Sequence, residues 1–183
     1  MTTLTAGTPA PDFSLADWQG NPIRLADLQG RKVLLSFFRN AACALCNLRV
    51  QQLKKWYGEW SEQGLEIIAV FESPAASLRE YVGKQDAAFP IVGDPEAELY
   101  RLYGVEVSEQ KFKATVADPG THAHIRQAAA AGFVLAEEEG ANMHRIPADF
   151  LIDEQGIVQA AHYGSLVTDH LPLEAVARFA KTG

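Results

Sequence analysis

The chain has 183 residues, 48% of them hydrophobic and 21% charged, with three Trp, nine Phe and five Tyr, which excludes disorder for its bulk and provides for a sizeable core. That length fits one domain, 1–183. Sixteen Lys and Arg against 23 Asp and Glu give a net charge of -7, which argues against nucleic acid and against an acidic membrane surface as partners.

The first twenty residues, MTTLTAGTPAPDFSLADWQG, lack the basic start and continuous apolar stretch of a secretory signal. The longest small and apolar run, 127–136, is about half of the roughly 20 residues that cross a bilayer. The sequence therefore reads as cytoplasmic, with no membrane span. Residues 12–15 and 23–25 flank Gly20-Asn21-Pro22 and suggest a small hairpin or irregular cover. The run KVLLSFFR at 32–39 is almost unbroken in apolar character, as expected of a central strand covered on both faces.

From Cys43 to about Gln63, Leu45, Leu48, Leu53, Trp56, Tyr57 and Trp60 recur at helical spacing, with Arg49, Gln52, Lys54, Lys55 and Glu59 between them. A long amphipathic helix is predicted there. LEIIAVF at 65–71 reads as a second buried strand, and Ser73-Pro74 as the cap and first turn of a helix ending near Gly83. Residues 89–92 form a short predicted strand, after which Asp94 caps a helix with Pro95 in its first turn, stopping at Gly104.

Residues 105–145 break this alternation and read as an insertion or excursion, with one helix at 121–131 and an acidic Glu137-Glu138-Glu139 run taken as solvated surface. Residues 148–152 and 157–163 flank Asp153-Glu154-Gln155-Gly156 as a hairpin, and 173–181 forms a last amphipathic helix. The order β-α-β-α-β-α followed by β-β-α predicts an α/β fold with an at least partly parallel sheet.

The only two cysteines, Cys43 and Cys46, stand three positions apart, a spacing that points to redox chemistry or metal binding in a reducing compartment. Cys43 falls where a buried strand gives way to a helix, so unpaired backbone N–H groups and the helix dipole favour a thiolate there. Cys46, one turn on, can close a disulfide upon it. Arg39, four positions before Cys43, adds positive charge if its side chain turns toward the site. A zinc site would need His122, His124 or His144 to complete four ligands, and two inert buried thiols are the other bland alternative. His162 reads as packed or surface histidine, and no nucleotide loop or serine-hydrolase elbow occurs.

GTPAPDFSL at 7–15, followed by Gly20 and Leu25, is similar to the opening of peroxiredoxins of the alkyl hydroperoxide reductase and thiol-specific antioxidant superfamily. KVLLSFFRNAACALCNLRVQQL at 32–53 resembles their active-site strand, loop and helix, and FLIDEQGIV at 150–158 their late hairpin. Arginine after the strand and C-x-x-C-N at the helix start, here Arg39 and Cys43 to Asn47, resemble the peroxiredoxin-like branch most. The resemblance covers most of the chain, with 105–145 its weak stretch.

The resemblance implies a thioredoxin-like fold, a central mixed sheet flanked by helices with the site at the amino end of the long helix. In typical peroxiredoxins the peroxidatic cysteine matches Cys46, a threonine or serine matches Cys43, a proline matches Arg39 and an arginine matches about Pro147. The hydroxyl and the arginine, which donate to the peroxide oxygens, are absent here. What stands instead is similar to a thioredoxin site, which implies Cys43 as attacker and Cys46 as resolver. Ile146-Pro147 matches the proline that thioredoxin-fold proteins set opposite the cysteines, with a cis bond expected, whereas the thioredoxin buried aspartate falls at Phe37.

The expected activity is thiol-dependent oxidoreduction by a Cys43/Cys46 dithiol-disulfide cycle, with no cofactor. The oxidant is either a hydroperoxide, with Cys46 forming a sulfenic acid on which Cys43 condenses, or a protein disulfide attacked by Cys43 through a mixed disulfide, and a thioredoxin or glutaredoxin system is the external reductant. A thiol-disulfide reductase without useful peroxidase activity and a non-catalytic redox sensor remain open alternatives. The resemblance also implies a homodimer.

Overall fold

The computed structural model describes residues 3–182. The chain opens with β1 (Ser14–Ala16) and β2 (Pro22–Arg24), an antiparallel pair. The Asp17 carboxylate closes their turn by accepting from the backbone N–H groups of Gln19 and Asn21. The hairpin covers a five-stranded sheet and is tied to one edge of it where Asp17 pairs with Val92.

That sheet runs β5 (Ile91–Gly93), β4 (Leu65–Phe71), β3 (Lys32–Phe37), β6 (Ala148–Ile152), β7 (Val158–Tyr163). β3, β4 and β5 are parallel, while β6 is antiparallel to β3 and to β7. Every residue of β3 is buried, as its unbroken apolar run requires of the middle strand. Alternation then divides the core into two layers. Leu34, Phe38, Ile67, Ala69, Phe71 and Leu151 join one, and Val33, Leu35, Phe37, Val70, Phe150 and Ile152 the other.

The first layer is covered by α1 (Ala44–Glu62), α2 (Ala75–Glu80) and α6 (Leu173–Lys181), whose Leu53, Trp60, Leu78 and Val176 are buried in it. Each such side chain contributes about 1.5–3 kcal/mol through burial. Leu53 and Trp60 stand two turns apart on one face of α1, while Trp56 projects outward and stacks on Trp60 at 6.5 Å. The helix ends as Gly64, at φ +83°, turns the chain back into β4. The second layer is covered by α3 (Glu98–Leu102), through Leu99 and Tyr100, and by the N-terminal hairpin. The Tyr100 hydroxyl donates to the carbonyls of Phe38 and Val70, tying α3 to the ends of β3 and β4.

Residues 105–145 hold two helices where the sequence predicts one. α4 (Glu109–Ala117) is capped by Ser108, whose hydroxyl accepts from Lys111 N–H, and α5 (Pro119–Ala130) by Asp118, whose carboxylate accepts from Thr121 N–H. The two ends of the stretch meet, since Val107 pairs with Arg145 and Ile146 N–H donates to Glu106 O at 3.2 Å. α5 lies against α1, burying Ala128 beside Ala44 and Leu48. No helix among the described residues is long and apolar enough to cross a membrane.

Three local expectations are corrected. Pro74, not Ser73, takes the cap position of α2, because the buried Ser73 hydroxyl turns away to accept from Ala41 N–H. Asp94 caps α3 from one turn further out, through Glu98 and Leu99 N–H, so Pro95 precedes the helix. The Ile146–Pro147 bond is trans, as no cis peptide occurs among the described residues. Ile146 N–H and the Pro147 carbonyl, which accepts from Gly164 N–H at 2.9 Å, carry an extended path straight into β6.

Candidate active site

β3 ends at Phe37, and five residues later the chain enters α1 with Cys43 as its N-cap. The intervening loop is closed by short-range bonds: Cys43 N–H donates to Asn40 O, and the Asn47 amide donates to the carbonyls of Ala41 and Cys43 at 2.8 and 3.0 Å. Gln85 in turn donates to the Asn47 side-chain oxygen. Position 47 thus fixes the loop that aims Cys43.

Cys43 and Cys46 are free thiols, each only 3% exposed. The Cys43 sulfur accepts from the Cys46 backbone N–H at 3.3 Å, using one of the first-turn donors that a helix leaves unpaired. Arg39 does turn toward the site, with Nη2 3.4 Å from the same sulfur. Nη1 donates to Met143 O, and the guanidinium lies 5.7 Å from the Phe112 ring centroid. Arg39 is itself buried, and its Nε has no partner.

These contacts separate the two thiols. Burial pushes the Cys43 thiol up, but the Cys46 side chain, the Arg39 charge and the Cys46 N–H together bring it down to about 6. Burial pushes Cys46 well above the ordinary thiol value, reinforced by the hydrogen bond and charge of Cys43. Burial acts to lower Arg39, and the two sulfurs outweigh it, holding the guanidinium charged. The two thiols, one helical turn apart, are thus shifted in opposite directions, Cys43 toward the thiolate and Cys46 toward the thiol.

Other parts of the site lie far away in sequence. Ser73 accepts from Ala41 N–H at 2.9 Å and donates to Glu138 Oε2 at 3.0 Å. The same carboxylate oxygen accepts from Ala41 N–H at 3.1 Å and Ala42 N–H at 3.4 Å. Glu138 is therefore not the solvated surface acid that the Glu137-Glu138-Glu139 run suggests. Arg145 grips Glu72 through Nε (2.6 Å) and Nη2 (3.1 Å) and gives Nη1 to Val105 O, which joins the end of β4 to the return of the excursion. Pro147 lies just before β6, whose Ala148 pairs with Phe37, so Ile146 and Pro147 sit at the end of the sheet from which the cysteine loop departs. Both are buried.

A buried carboxylate does exist beneath α1, one strand away from Phe37. Asp149 on β6 accepts from the Ser36 hydroxyl and from Leu171 N–H, and pairs with His170 at 3.0 Å. Burial acts to raise it, and His170, Arg49 and Ser36 outweigh burial and hold it well below the usual carboxylate range. Arg49, polar by position in the predicted helix, is buried here and donates to Leu171 O. No sequence signal marks this group beyond a lone acid in an apolar strand. The groups that shift Cys46 most are Cys43 and Arg39.

His122 and His124 bond to the Val116 and Gly120 carbonyls, and His144 packs on Phe112. Among the described residues no group of three His, Cys, Asp or Glu is arranged to hold a metal ion.

Comparison with known proteins places this geometry. The family model described as "AhpC/TSA family" matches residues 6–161. A protein of Mycobacterium tuberculosis assigned as a peroxiredoxin is 26% identical over 170 residues, covering 93% of this chain and 92% of its own. The thiol-disulfide oxidoreductase ResA of Halalkalibacterium halodurans is 37% identical over 101 residues, 55% of this chain and 57% of its own. In fold, the crystal structure of the peroxidoxin BcpB from Mycobacterium tuberculosis superposes with a TM-score of 0.67 at 17% identity, over 97% of this chain and 95% of that one. The mixed sheet flanked by helices is the thioredoxin-like fold expected from the sequence.

Proposed function

The chain belongs to the AhpC/TSA family, and on that premise we propose that it is a thiol-dependent oxidoreductase in which Cys43 attacks the oxidant and Cys46 resolves the product. The observation that carries this reading is the Cys43 sulfur, held as a thiolate near neutral pH by burial-resisting contacts from Cys46 and Arg39. The thiolate attacks one oxygen of a hydroperoxide, the O–O bond breaks, and the other oxygen leaves as an alcohol or water on taking a proton. The Cys43 sulfenic acid then loses water as the Cys46 sulfur closes the disulfide. An external dithiol of the thioredoxin or glutaredoxin kind returns both thiols by exchange.

The hydroperoxide is favoured because Arg39 sets a fixed donor beside the attacking sulfur, where charge develops on the leaving oxygen. Arg39 so stands in for the arginine that Pro147 replaces. Ile146 and Pro147 support the site by bounding the cysteine loop at the start of β6. A protein disulfide is the second reading, favoured by the likeness to ResA over 101 residues, 55% of the chain. Two cysteines and no others suit a reducing compartment such as the cytoplasm. The reading takes 1–183 as one working unit with 105–145 as its excursion.

Single-cysteine variants test it. Cys46→Ser should consume one equivalent of hydrogen peroxide and hold a sulfenic acid that dimedone labels, while Cys43→Ser should react at neutral pH only as a buried ordinary thiol. If Cys43→Ser is oxidised as fast as the unmodified chain, Cys46 is the attacking sulfur and the assignment fails.

A further inference from the structure

Both cysteines are 3% exposed, yet a protein partner must touch one of their sulfurs to exchange disulfides with it. The return segment of the excursion is bonded to the loop that leads into Cys43. Between α5 and β6 it carries no helix or strand, and it crosses the cysteine loop at two points. Glu138 accepts from Ala41 and Ala42 N–H and from the Ser73 hydroxyl, and Met143 O accepts from Arg39. Asn142 also donates to Glu72 at 3.3 Å and Phe133 packs against Ala44 and Leu48, and the stretch between Phe133 and Glu138 is the loosely held part. Val134 and Leu135 are 73% and 70% exposed, and Gly132, Phe133, Val134 and Ala136 border a cavity of about 380 Å³ shared with Ala44, Asn47, Tyr81 and Lys84. A segment flanked by empty space loses few dispersion contacts on lifting. Gly132 and Gly140, at φ +87° and +74° with no atom near their missing Cβ positions, offer pivots within it.

We propose that residues 133–143 form a strap latched by Glu138, and that Glu138 is a specificity-determining residue. With the latch closed, Cys43 reacts with oxidants the size of hydrogen peroxide. Exchange with a protein thiol or disulfide requires the Glu138 carboxylate to leave Ala41, Ala42 and Ser73. This rests on the reading of Cys43 as the attacking thiol and adds to it a division of partners by size. The strap is a tertiary device, since Glu138 lies 97 residues from Ala41 in the chain.

Access is measured as a ratio of rates, N-ethylmaleimide against maleimide carried on a polyethylene glycol chain, with fully reduced protein at pH 7. Both reagents take the thiolate, so a change in thiolate fraction cancels. Glu138→Ala should raise the bulky-to-small ratio by about ten- to hundredfold, the factor for losing hydrogen bonds to one ionised carboxylate. Glu138→Gln, which keeps an acceptor oxygen, should raise it only severalfold, and Glu137→Ala, one residue away and exposed, should leave it unchanged. An unchanged ratio in Glu138→Ala, or an equal rise in Glu137→Ala, overturns the latch. Peroxide consumption by the unmodified chain is read separately: its absence removes the peroxidase reading and leaves the latch standing on the ratio.

Discussion

Arg39 and Cys43 leave the end of β3 four residues apart, and the loop between them folds back so that the guanidinium Nη2 stands 3.4 Å from the sulfur. An extended chain would separate those residues by more than 10 Å. The return is enforced by Asn47, which pins the carbonyls of Ala41 and Cys43, and by Ser73, which holds Ala41 N–H. A buried cation beside a buried sulfur favours the thiolate more than the same pair does in water, and the pH behaviour of the site follows from that.

Alkylation of the reduced protein by iodoacetamide should titrate in two separate steps. The first thiol ionises at about 6, so its rate climbs through that pH and is nearly level above neutrality. The second stays silent until well above the ordinary thiol value. One step near the free-thiol pKa of about 8.5 would show that burial wins over the Cys46 and Arg39 contacts.

Replacing Arg39 with Met removes the charge and the hydrogen bond but keeps much of the volume against Phe112. The Cys43 midpoint should move up by about one unit or more, lowering the alkylation rate at pH 6 by roughly tenfold. Arg39→Lys should recover only part of this, because one ammonium cannot reproduce the fork that spans Cys43 and Met143 O. A midpoint unmoved in Arg39→Met would assign the depression to the helix terminus and Cys46 alone.

Asp149 stabilises the fold through its charged form. Its folded pKa lies below an unfolded value of about 3.9, so the contribution is fully present above that value and is lost as pH falls through the folded one. Asp149→Asn should lower urea stability by about 3–5 kcal/mol at pH 7, since the buried Arg49 then loses the larger of its two opposing charges and keeps only Glu174. The gap between variant and unmodified protein should narrow as pH drops below about 3.9. A gap of equal size at pH 3 and pH 7 would mean that the amide fails by shape rather than by charge.

Ser73 is fully buried, and its hydroxyl both accepts from Ala41 N–H and donates to Glu138. Ser73→Ala should cost about 1–3 kcal/mol in urea unfolding, the penalty of stranding a buried donor. Faster amide exchange at Ala41, measured by NMR, should accompany it. Stability within 0.5 kcal/mol, about the scatter of an ordinary surface substitution, would mean that Glu138 alone satisfies the loop.

What the amino-acid sequence determined by itself is everything carried by neighbours along the chain. The almost unbroken apolar run KVLLSFF reads as a strand buried on both faces, and it is the middle one. The Leu45 to Trp60 spacing wound α1, and its position after that strand put Cys43 at a helix start, where a thiolate is favoured. The second helix of the excursion had a local mark too, Ser108 before Glu109 and Asp118 before Pro119, but the polar composition of 109–117 hid its period. Only the tertiary structure decided which polar groups meet. Ser36 and Asp149 are 113 residues apart, Glu72 and Arg145 are 73, and Ala41 and Glu138 are 97. A one-dimensional pattern reports how a residue is spaced from its own face of a helix or strand, whereas a buried charge is compensated by whatever the fold brings within about 3 Å of it. For that reason Glu138 read as solvated surface and Asp149 went unremarked, although one lies over the cysteine loop and the other beneath the helix that the loop begins.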